Sequence, residues 1–178
     1  MNTHAQTPLW SHLTIRPEQS VDESAITQLT EAAFANESYS THTEQFIIKA
    51  LRRANQLTVS LVALDADQLV GHVAVSPVTI SSGATGWYGL GPISVAPTHQ
   101  RQGIGSRLMQ ATLTTLAAQA AQGCVVLGEP DYYGRFGFKA EPILVLPGVP
   151  PAYFQALAFG PQLPSGTVHY QEAFGATN

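Results

Sequence analysis

Hydrophobic residues recur along this chain with two periods, and each period predicts one type of secondary structure. Apolar positions three or four residues apart indicate amphipathic helices at 22–35, 41–54 and 106–121. Short runs rich in β-branched and other apolar residues, bounded by turn residues, predict strands at 13–16, 58–64, 69–80, 87–95, 124–127 and 167–170. The proline-punctuated C-terminal part is predicted to hold one short helix at 153–157.

The order of these elements predicts the fold class. Hairpin-like strands come first and a strand–helix–strand crossover follows, which implies a mixed α/β (α+β) fold with helices on both faces of a mixed sheet. A chain of 178 residues has the length of one domain. We therefore expect a single domain at 13–178, preceded by a loose N-terminal tail at 1–12.

Composition and charge narrow the function classes. A hydrophobic fraction of 44% can fill a core, and a net charge of −4 with eight Lys and Arg residues argues against a nucleic-acid partner. The chain has no run of about 18 apolar residues, so no membrane partner is expected. Cys124 is the one cysteine and lies in an apolar strand pattern, which suits a reducing, cytoplasmic location. The histidines lack metal-ligand spacing, so no metal is predicted.

The segment 95–108 carries the most informative chemistry. A strand ends at a proline, a polar turn with two glycines follows, and a helix begins. The first amides of a helix lack intrahelical partners and carry the positive end of the helix dipole, so this arrangement binds anions such as a diphosphate. Two familiar phosphate loops do not fit. The lysine of a P-loop is missing, and Leu108 stands where the dinucleotide fingerprint needs a third small residue.

Two motifs in the chain resemble a known family. The pattern Gln-x-x-Gly-x-Gly, from Gln100 to Gly105, resembles the acetyl-CoA pyrophosphate loop of the GNAT (Gcn5-related N-acetyltransferase) superfamily. Downstream, Tyr-x-x-x-Gly-Phe, from Tyr133 to Phe138, resembles the element that follows the fifth strand in GNAT proteins. Its longer form, Leu-Gly-x-Pro-x-Tyr-Tyr-x-Arg-Phe-Gly-Phe, is similar to the YhbS-like subgroup of predicted acetyltransferases.

The resemblance covers roughly 13–175 and implies both a fold and a cosubstrate. The fold would be the GNAT acyl-CoA N-acyltransferase fold, in which a central, mostly antiparallel mixed sheet has two neighbouring strands splayed apart. The cosubstrate would be acetyl-CoA. Its pantetheine amides would pair with the backbone of the strand before the loop, at Ile93, Ser94 and Val95. Its pyrophosphate would lie on backbone amides of the loop and the helix start, at Arg101, Gln102, Gly103, Ile104, Gly105 and Ser106.

The resemblance also implies a general acid. Tyr133 has the position of the family's tyrosine, close to the cofactor, and a phenol there can protonate the departing CoA thiolate. A purely packing role for Tyr133 stays open, and Tyr132 is the weaker alternative for the acid.

The general base is less well defined. Many family members use a glutamate on the strand before the loop, but the strand at 86–95 contains no carboxylate. Glu44 lies near the two N-terminal helices that border the acceptor pocket in the family, and it is the predicted base. Glu37, His42 and an ordered water stay open as alternatives.

These observations predict an N-acetyltransferase that transfers the acetyl group directly to a primary amine in a ternary complex. The alternative is a non-catalytic CoA-binding or regulatory module with the same fold, which the missing strand glutamate favours. The amine acceptor is not identified by the sequence, and a homodimer stays open as an assembly.

Overall fold

The computed structural model describes residues 12–178, and within them six strands form a central sheet. The α-helices of this part are Glu23–Phe34 (α1), Glu44–Arg53 (α2), Ile104–Ala118 (α3) and Pro130–Tyr133 (α4). Its strands are Leu13–Pro17 (β1), Val59–Asp65 (β2), Gln68–Pro77 (β3), Thr79–Ile80 (β4), Trp87–Val95 (β5), Gly123–Leu127 (β6), Leu144–Val145 (β7), Phe154–Ala158 (β8) and Gly166–His169 (β9). The central sheet has the order β1-β2-β3-β5-β6-β8, and β4, β9 and β7 form a small second sheet.

Alternate residues of the central strands face two different helix layers. On one face, Leu61 and Val73 belong to the core that includes the apolar side of α3. On the other face, their chain neighbours Val62 and Ala74 pack with residues of α1 and α2. Neighbouring strands of the central sheet are antiparallel except for β5 and β6, which are parallel. The predicted mixed, mostly antiparallel sheet with helices on both faces is confirmed.

The packing of α3 gives a direct test of the core. Leu108 and Leu116 are both 0% exposed. We expect Leu108→Ala and Leu116→Ala each to lower the free energy of unfolding by about 2–5 kcal/mol, because each leaves a cavity against the sheet. Gln110→Ala on the exposed side of α3 is the control and should change it by less than about 0.5 kcal/mol. Denaturant unfolding measures all three, and equal effects at buried and exposed positions would contradict this packing.

The helix predicted at 153–157 is wrong, because this segment is the end of a 3₁₀ turn followed by strand β8. The prolines support one short turn, Pro151–Tyr153. The next residues then pair with β6, from Phe154 beside Leu127 to Ala158 beside Gly123. A short apolar run does not reveal by its periodicity whether it is helix or strand. Here the segment forms a strand, because pairing with the open edge of β6 satisfies the backbone hydrogen-bonding groups of both strands.

Other boundaries differ by a few residues. The helices α2 and α3 begin at Glu44 and Ile104 rather than at 41 and 106. The strand predicted at 69–80 is divided after Pro77, which has no amide to donate to a sheet ladder, and β4 pairs with β9 instead. Residues 1–11 of the predicted N-terminal tail lie outside the described residues.

A polar network joins the N-terminal part of the fold. Glu18 accepts hydrogen bonds from Arg52 on α2, at 2.9 and 3.0 Å, and from the Ser60 hydroxyl on β2, at 2.6 Å. The ring nitrogen Nε2 of the fully buried His72 on β3 lies 2.8 Å from the Ser60 oxygen. Because Ser60 gives its proton to the carboxylate, its oxygen accepts from His72, and Nε2 is the protonated nitrogen.

The network predicts a pH-dependent stability. Burial alone would raise the pKa of Glu18, but the neighbouring His72 ring, together with hydrogen bonds from Arg52 and Ser60, outweighs it and holds that pKa well below the ordinary 4.5. The stabilisation from Glu18 is therefore present above about pH 4.5 and is lost as the pH falls below it. Burial lowers the pKa of His72 below 6.5, so its neutral form also favours the fold above that pH. Both effects make the protein less stable in acid.

Glu18→Gln tests this network. We expect it to lower the free energy of unfolding at pH 7 by about 1.5–3 kcal/mol, the range for hydrogen bonds to charged groups. The difference from the wild type should shrink as the pH falls below 4.5. Glu23→Gln is the control, because Glu23 is 49% exposed and lies 3.9 Å from Arg52. A Glu18→Gln difference that persists unchanged at pH 3 would refute the charge-based explanation.

Candidate active site

A fork between β5 and β6 forms the centre of the site. The two strands pair from Trp87 beside Gly123 up to Leu90 beside Val126. Beyond Leu90, β5 continues to Val95 but pairs only with β3 on its other side, through Ile93 and Ser94. Within the described residues no strand pairs with the β6-facing edge of 91–95. Its backbone groups can therefore bind an extended ligand in the manner of an added strand.

The glycine turn lies at the end of that edge. The side-chain nitrogen Nε2 of Gln100 donates to the Val95 carbonyl at 3.1 Å, and Nε2 of Gln102 donates to the Thr98 carbonyl at 3.0 Å. These two glutamine contacts hold the turn against the end of β5. Arg101 and Gly103 are both left-handed, with φ of +60° and +89°, and they direct the chain into α3.

Gly103 is where an anion can approach the backbone. It is the N-cap of α3, and the amide of Arg107 makes the first helical bond to its carbonyl. The amides of Ile104, Gly105 and Ser106 come before that bond, so they are available to a ligand. A Cβ placed on Gly103 would meet nothing within 4 Å among the described residues. A diphosphate thus has both the donors and the space it requires.

Gly105, the second glycine of the turn, leaves room for a tyrosine hydroxyl. A Cβ placed on Gly105 would lie 2.7 Å from the hydroxyl of Tyr132, which also interacts with Ser106. The Tyr132 ring packs edge-on against Tyr133, and the Arg135 guanidinium lies 4.6 Å from its centroid. Tyr132 therefore braces the start of α3 against α4, a contact that the sequence did not predict.

Tyr133, the neighbour of Tyr132, faces the interior of the protein. It is 9% exposed and packs against Phe138 with ring centroids 6.1 Å apart. Its ring fills the space beside Gly128, where any Cβ would overlap it. Burial raises the pKa of Tyr133 well above its ordinary value. The hydroxyl therefore keeps its proton at neutral pH and acts as a donor.

The segment between α1 and α2 brings Glu44 to the same region. Glu44 is the first residue of α2, and one of its oxygens accepts a hydrogen bond from Ser40 at 2.7 Å. The other oxygen is enclosed and has no partner among the described residues. Burial raises the pKa of Tyr39, as do the negative charges of Glu37, Glu129 and Glu44. The pKa of Tyr133 is raised further by Tyr39, so Tyr39 lies near enough to interact electrostatically with both Glu44 and Tyr133.

The other candidate residues occupy more open positions. His42 is exposed, with a left-handed φ of +58°, and its amide donates to Ser40 at 2.8 Å. Glu37 is half-buried, and the side chains of Arg101 and Arg107 are exposed at the turn and the start of α3. Among residues 12–178, no group of His, Cys, Asp or Glu side chains is arranged so that it could hold a metal ion. In the same residues, none of the helices combines the length and apolar character that crossing a membrane requires.

Comparisons with known proteins identify a matching family and a similar relative. Residues 14–140 match the acetyltransferase (GNAT) domain family. The chain is 32% identical over 126 residues to the uncharacterized N-acetyltransferase YhbS of Escherichia coli K12, covering 70% of this chain and 72% of that protein.

Two solved structures are also similar. A GNAT family acetyltransferase from Brucella melitensis, in complex with acetyl-CoA, is 48% identical with a TM-score of 0.82, over 92% of this chain and 98% of that one. The structure of YhbS from Escherichia coli, in complex with CoA, is 29% identical with a TM-score of 0.85, over 98% of both chains.

Proposed function

Because this chain belongs to the GNAT acetyltransferase family, we propose that it transfers the acetyl group of acetyl-CoA directly to a primary amine in a ternary complex. One observation carries the proposal: the open edge of β5 runs from the fork, where Tyr133 is buried, to the unpaired amides at the start of α3. An extended ligand with an anionic end fits this line of donors and acceptors. The complexes of the two similar structures with acetyl-CoA and CoA support this choice of ligand.

Backbone groups would hold most of the cosubstrate. The edge formed by Ile93, Ser94 and Val95 would pair with the pantetheine amides, in the same way as an added strand. The pyrophosphate would lie on the amides from Arg101 to Ser106, over the open space at Gly103. Since the turn at the end of β5 holds the pyrophosphate, the other end of the pantetheine arm points to the closed end of the fork at Leu90.

Tyr133 would act as the general acid. Acetyl-CoA supplies an acyl group that its thioester already activates. As the amine nitrogen forms its bond to the acyl carbon, the carbon–sulfur bond breaks and the sulfur takes up the electron pair. The protonated hydroxyl of Tyr133 can donate its proton, or a hydrogen bond, to that sulfur. Its burial beside the fork supports this role.

Glu44 would receive the proton that the amine loses. An alkylammonium cannot attack until it is deprotonated, so the site needs a base on the acceptor side. Glu44 has one enclosed carboxylate oxygen with no partner among the described residues, and both Glu44 and Tyr133 interact electrostatically with Tyr39. That oxygen can accept the proton directly or through a water molecule.

Thiol release from acetyl-CoA, measured against a panel of amines, tests the proposal. The panel contains monoamines, polyamines, amino acids, aminoglycosides and peptides with a free N-terminus. We expect release that depends on one class of amine, with initial-rate lines that intersect when both substrates are varied. Parallel lines would point to an acetylated enzyme and exclude direct transfer. Tight binding of acetyl-CoA without amine-dependent release would identify a CoA-binding module instead.

A further inference from the structure

The C-terminal segment places a second tyrosine at the fork. After β9 the chain returns to the central sheet, where the Gln171 side chain donates to the Pro77 carbonyl at 2.9 Å. The Tyr170 ring lies over Gly89 of β5 so closely that any Cβ at position 89 would overlap it. The Phe174 ring packs against Tyr170 with centroids 4.8 Å apart, in a 3₁₀ turn that contacts α2. Gly89 thus makes room for a ring that its neighbours hold in place.

The position of Gly89 locates Tyr170 relative to the cleft. Gly89 pairs with Val125 of β6, one step before the last pair of the fork. On its other side it pairs with Ser76 of β3, and residues opposite each other in a sheet share a face. Ser76 lies on the face of Ala74, which α1 and α2 cover. Tyr133 belongs to the core on the opposite face. Two phenols therefore flank the closed end of the fork from its two sides.

The Tyr170 hydroxyl is an unused donor. The side chain is half-buried, but its oxygen is enclosed and has no hydrogen-bond partner among the described residues. Burial raises the pKa of Tyr170 far above its ordinary value, with smaller contributions from Cys124 and Tyr133, so the hydroxyl keeps its proton. The hydroxyl of Ser76, the residue paired with Gly89, is also enclosed and has no hydrogen-bond partner among the described residues. An unsatisfied buried polar group costs about 1–3 kcal/mol, so its retention requires an explanation.

We propose that Tyr170 donates its hydrogen bond to the acyl carbonyl oxygen of acetyl-CoA and stabilises the negative charge that develops there during transfer. The inference rests on the proposed function, which brings the thioester to the closed end of the fork. The thioester carbonyl oxygen can accept the hydrogen bond that the Tyr170 hydroxyl does not otherwise make. That oxygen gains negative charge as the amine attacks the acyl carbon. Tyr133 and Tyr170 then have separate tasks, one at the sulfur and one at the oxygen.

Calorimetric titration with acetyl-CoA and with CoA tests this assignment without an amine acceptor. CoA has no acyl carbonyl, so Tyr170→Phe should leave its Kd unchanged. The Kd for acetyl-CoA should rise about 3- to 10-fold, the effect of one lost hydrogen bond. Tyr88→Phe is the matched control, since Tyr88 is a half-buried tyrosine one residue from Gly89, and both Kd values should stay the same. Equal Kd changes for the two ligands, or none, would overturn the assignment.

The infrared band of the bound thioester carbonyl provides a second test that remains valid if Tyr170→Phe does not fold. With isotope-labelled acetyl-CoA on the wild-type protein, the carbonyl stretch should shift to lower frequency than in water-free solvent. Tyr170→Phe should remove that shift if it folds. An unshifted band in the wild type would refute the hydrogen bond. Failure of the proposed function gives a different result, because acetyl-CoA would then not bind at all.

Discussion

Tyr133→Phe is expected to lower kcat by about 10²- to 10⁴-fold, the range typical of a lost general acid. The substitution keeps the ring that packs on Phe138 and fills the space beside Gly128, and it removes only the hydroxyl. The Kd for CoA should change little, because the edge of β5 and the amides at the start of α3 are untouched. Steady-state kinetics with the acceptor amine, together with CoA titration and a melting curve, measure the three quantities.

Tyr132→Phe is the neighbouring control for this result. The Tyr132 hydroxyl touches Gly105 and Ser106 rather than the fork. Its loss should therefore alter CoA affinity and leave kcat within a few-fold of the wild type. If kcat falls for Tyr132→Phe and not for Tyr133→Phe, the acid is Tyr132. A loss of less than about 10-fold in Tyr133→Phe, with stability intact, would contradict proton donation by Tyr133.

Gly103→Glu is expected to abolish the stabilisation of the protein by acetyl-CoA. A ligand at about 100 times its Kd raises the free energy of unfolding by about 2.7 kcal/mol. A glutamate at Gly103 would occupy the open space over the helix start and place a negative charge against the pyrophosphate. Thermal unfolding with and without saturating acetyl-CoA measures the effect.

Gly83→Glu controls for backbone strain in that experiment. Gly83 has a φ of +83°, close to that of Gly103, and a Cβ there also meets nothing within 4 Å among the described residues. It lies in the turn between β4 and β5, at the opposite end of β5 from the glycine turn that contains Gly103. Both variants should lose similar intrinsic stability, but Gly83→Glu should keep the full response to acetyl-CoA. Loss of the response in both would show that strain, and not ligand contact, explains the effect.

The sequence predicts those features of the site that depend on a few consecutive residues. The turn at Gly103 depends on a left-handed residue at the start of a helix, a property of a few consecutive residues. The strand before it, Trp87–Val95, has the predicted bounds because its apolar run ends at a proline. The position of Tyr133 after the next strand follows from a motif within one short segment.

Features that depend on distant contacts could not be predicted in this way. Gly89 had no visible role in the sequence, because its partner Tyr170 comes from the far end of the chain and reaches it only after β9 has formed. His72 gave no sign of its link to Glu18, which passes through Ser60 on a different strand. The local pattern of 153–157 predicts a helix because it contains no sign of the edge of β6, with which this segment pairs in the structure. In each case tertiary pairing decides the structure.

Transfer of a labelled acetyl group tests the central claim most directly. The protein is incubated with acetyl-CoA carrying ¹³C in the acetyl group and with the amine panel, and mass spectrometry follows both the amines and the protein. We predict that the label appears on one class of amine, that it never accumulates on the protein, and that Gly103→Glu abolishes the product. If no labelled amine forms although acetyl-CoA stabilises the protein, or if the label is first found on the protein, direct acetyl transfer by this chain is contradicted.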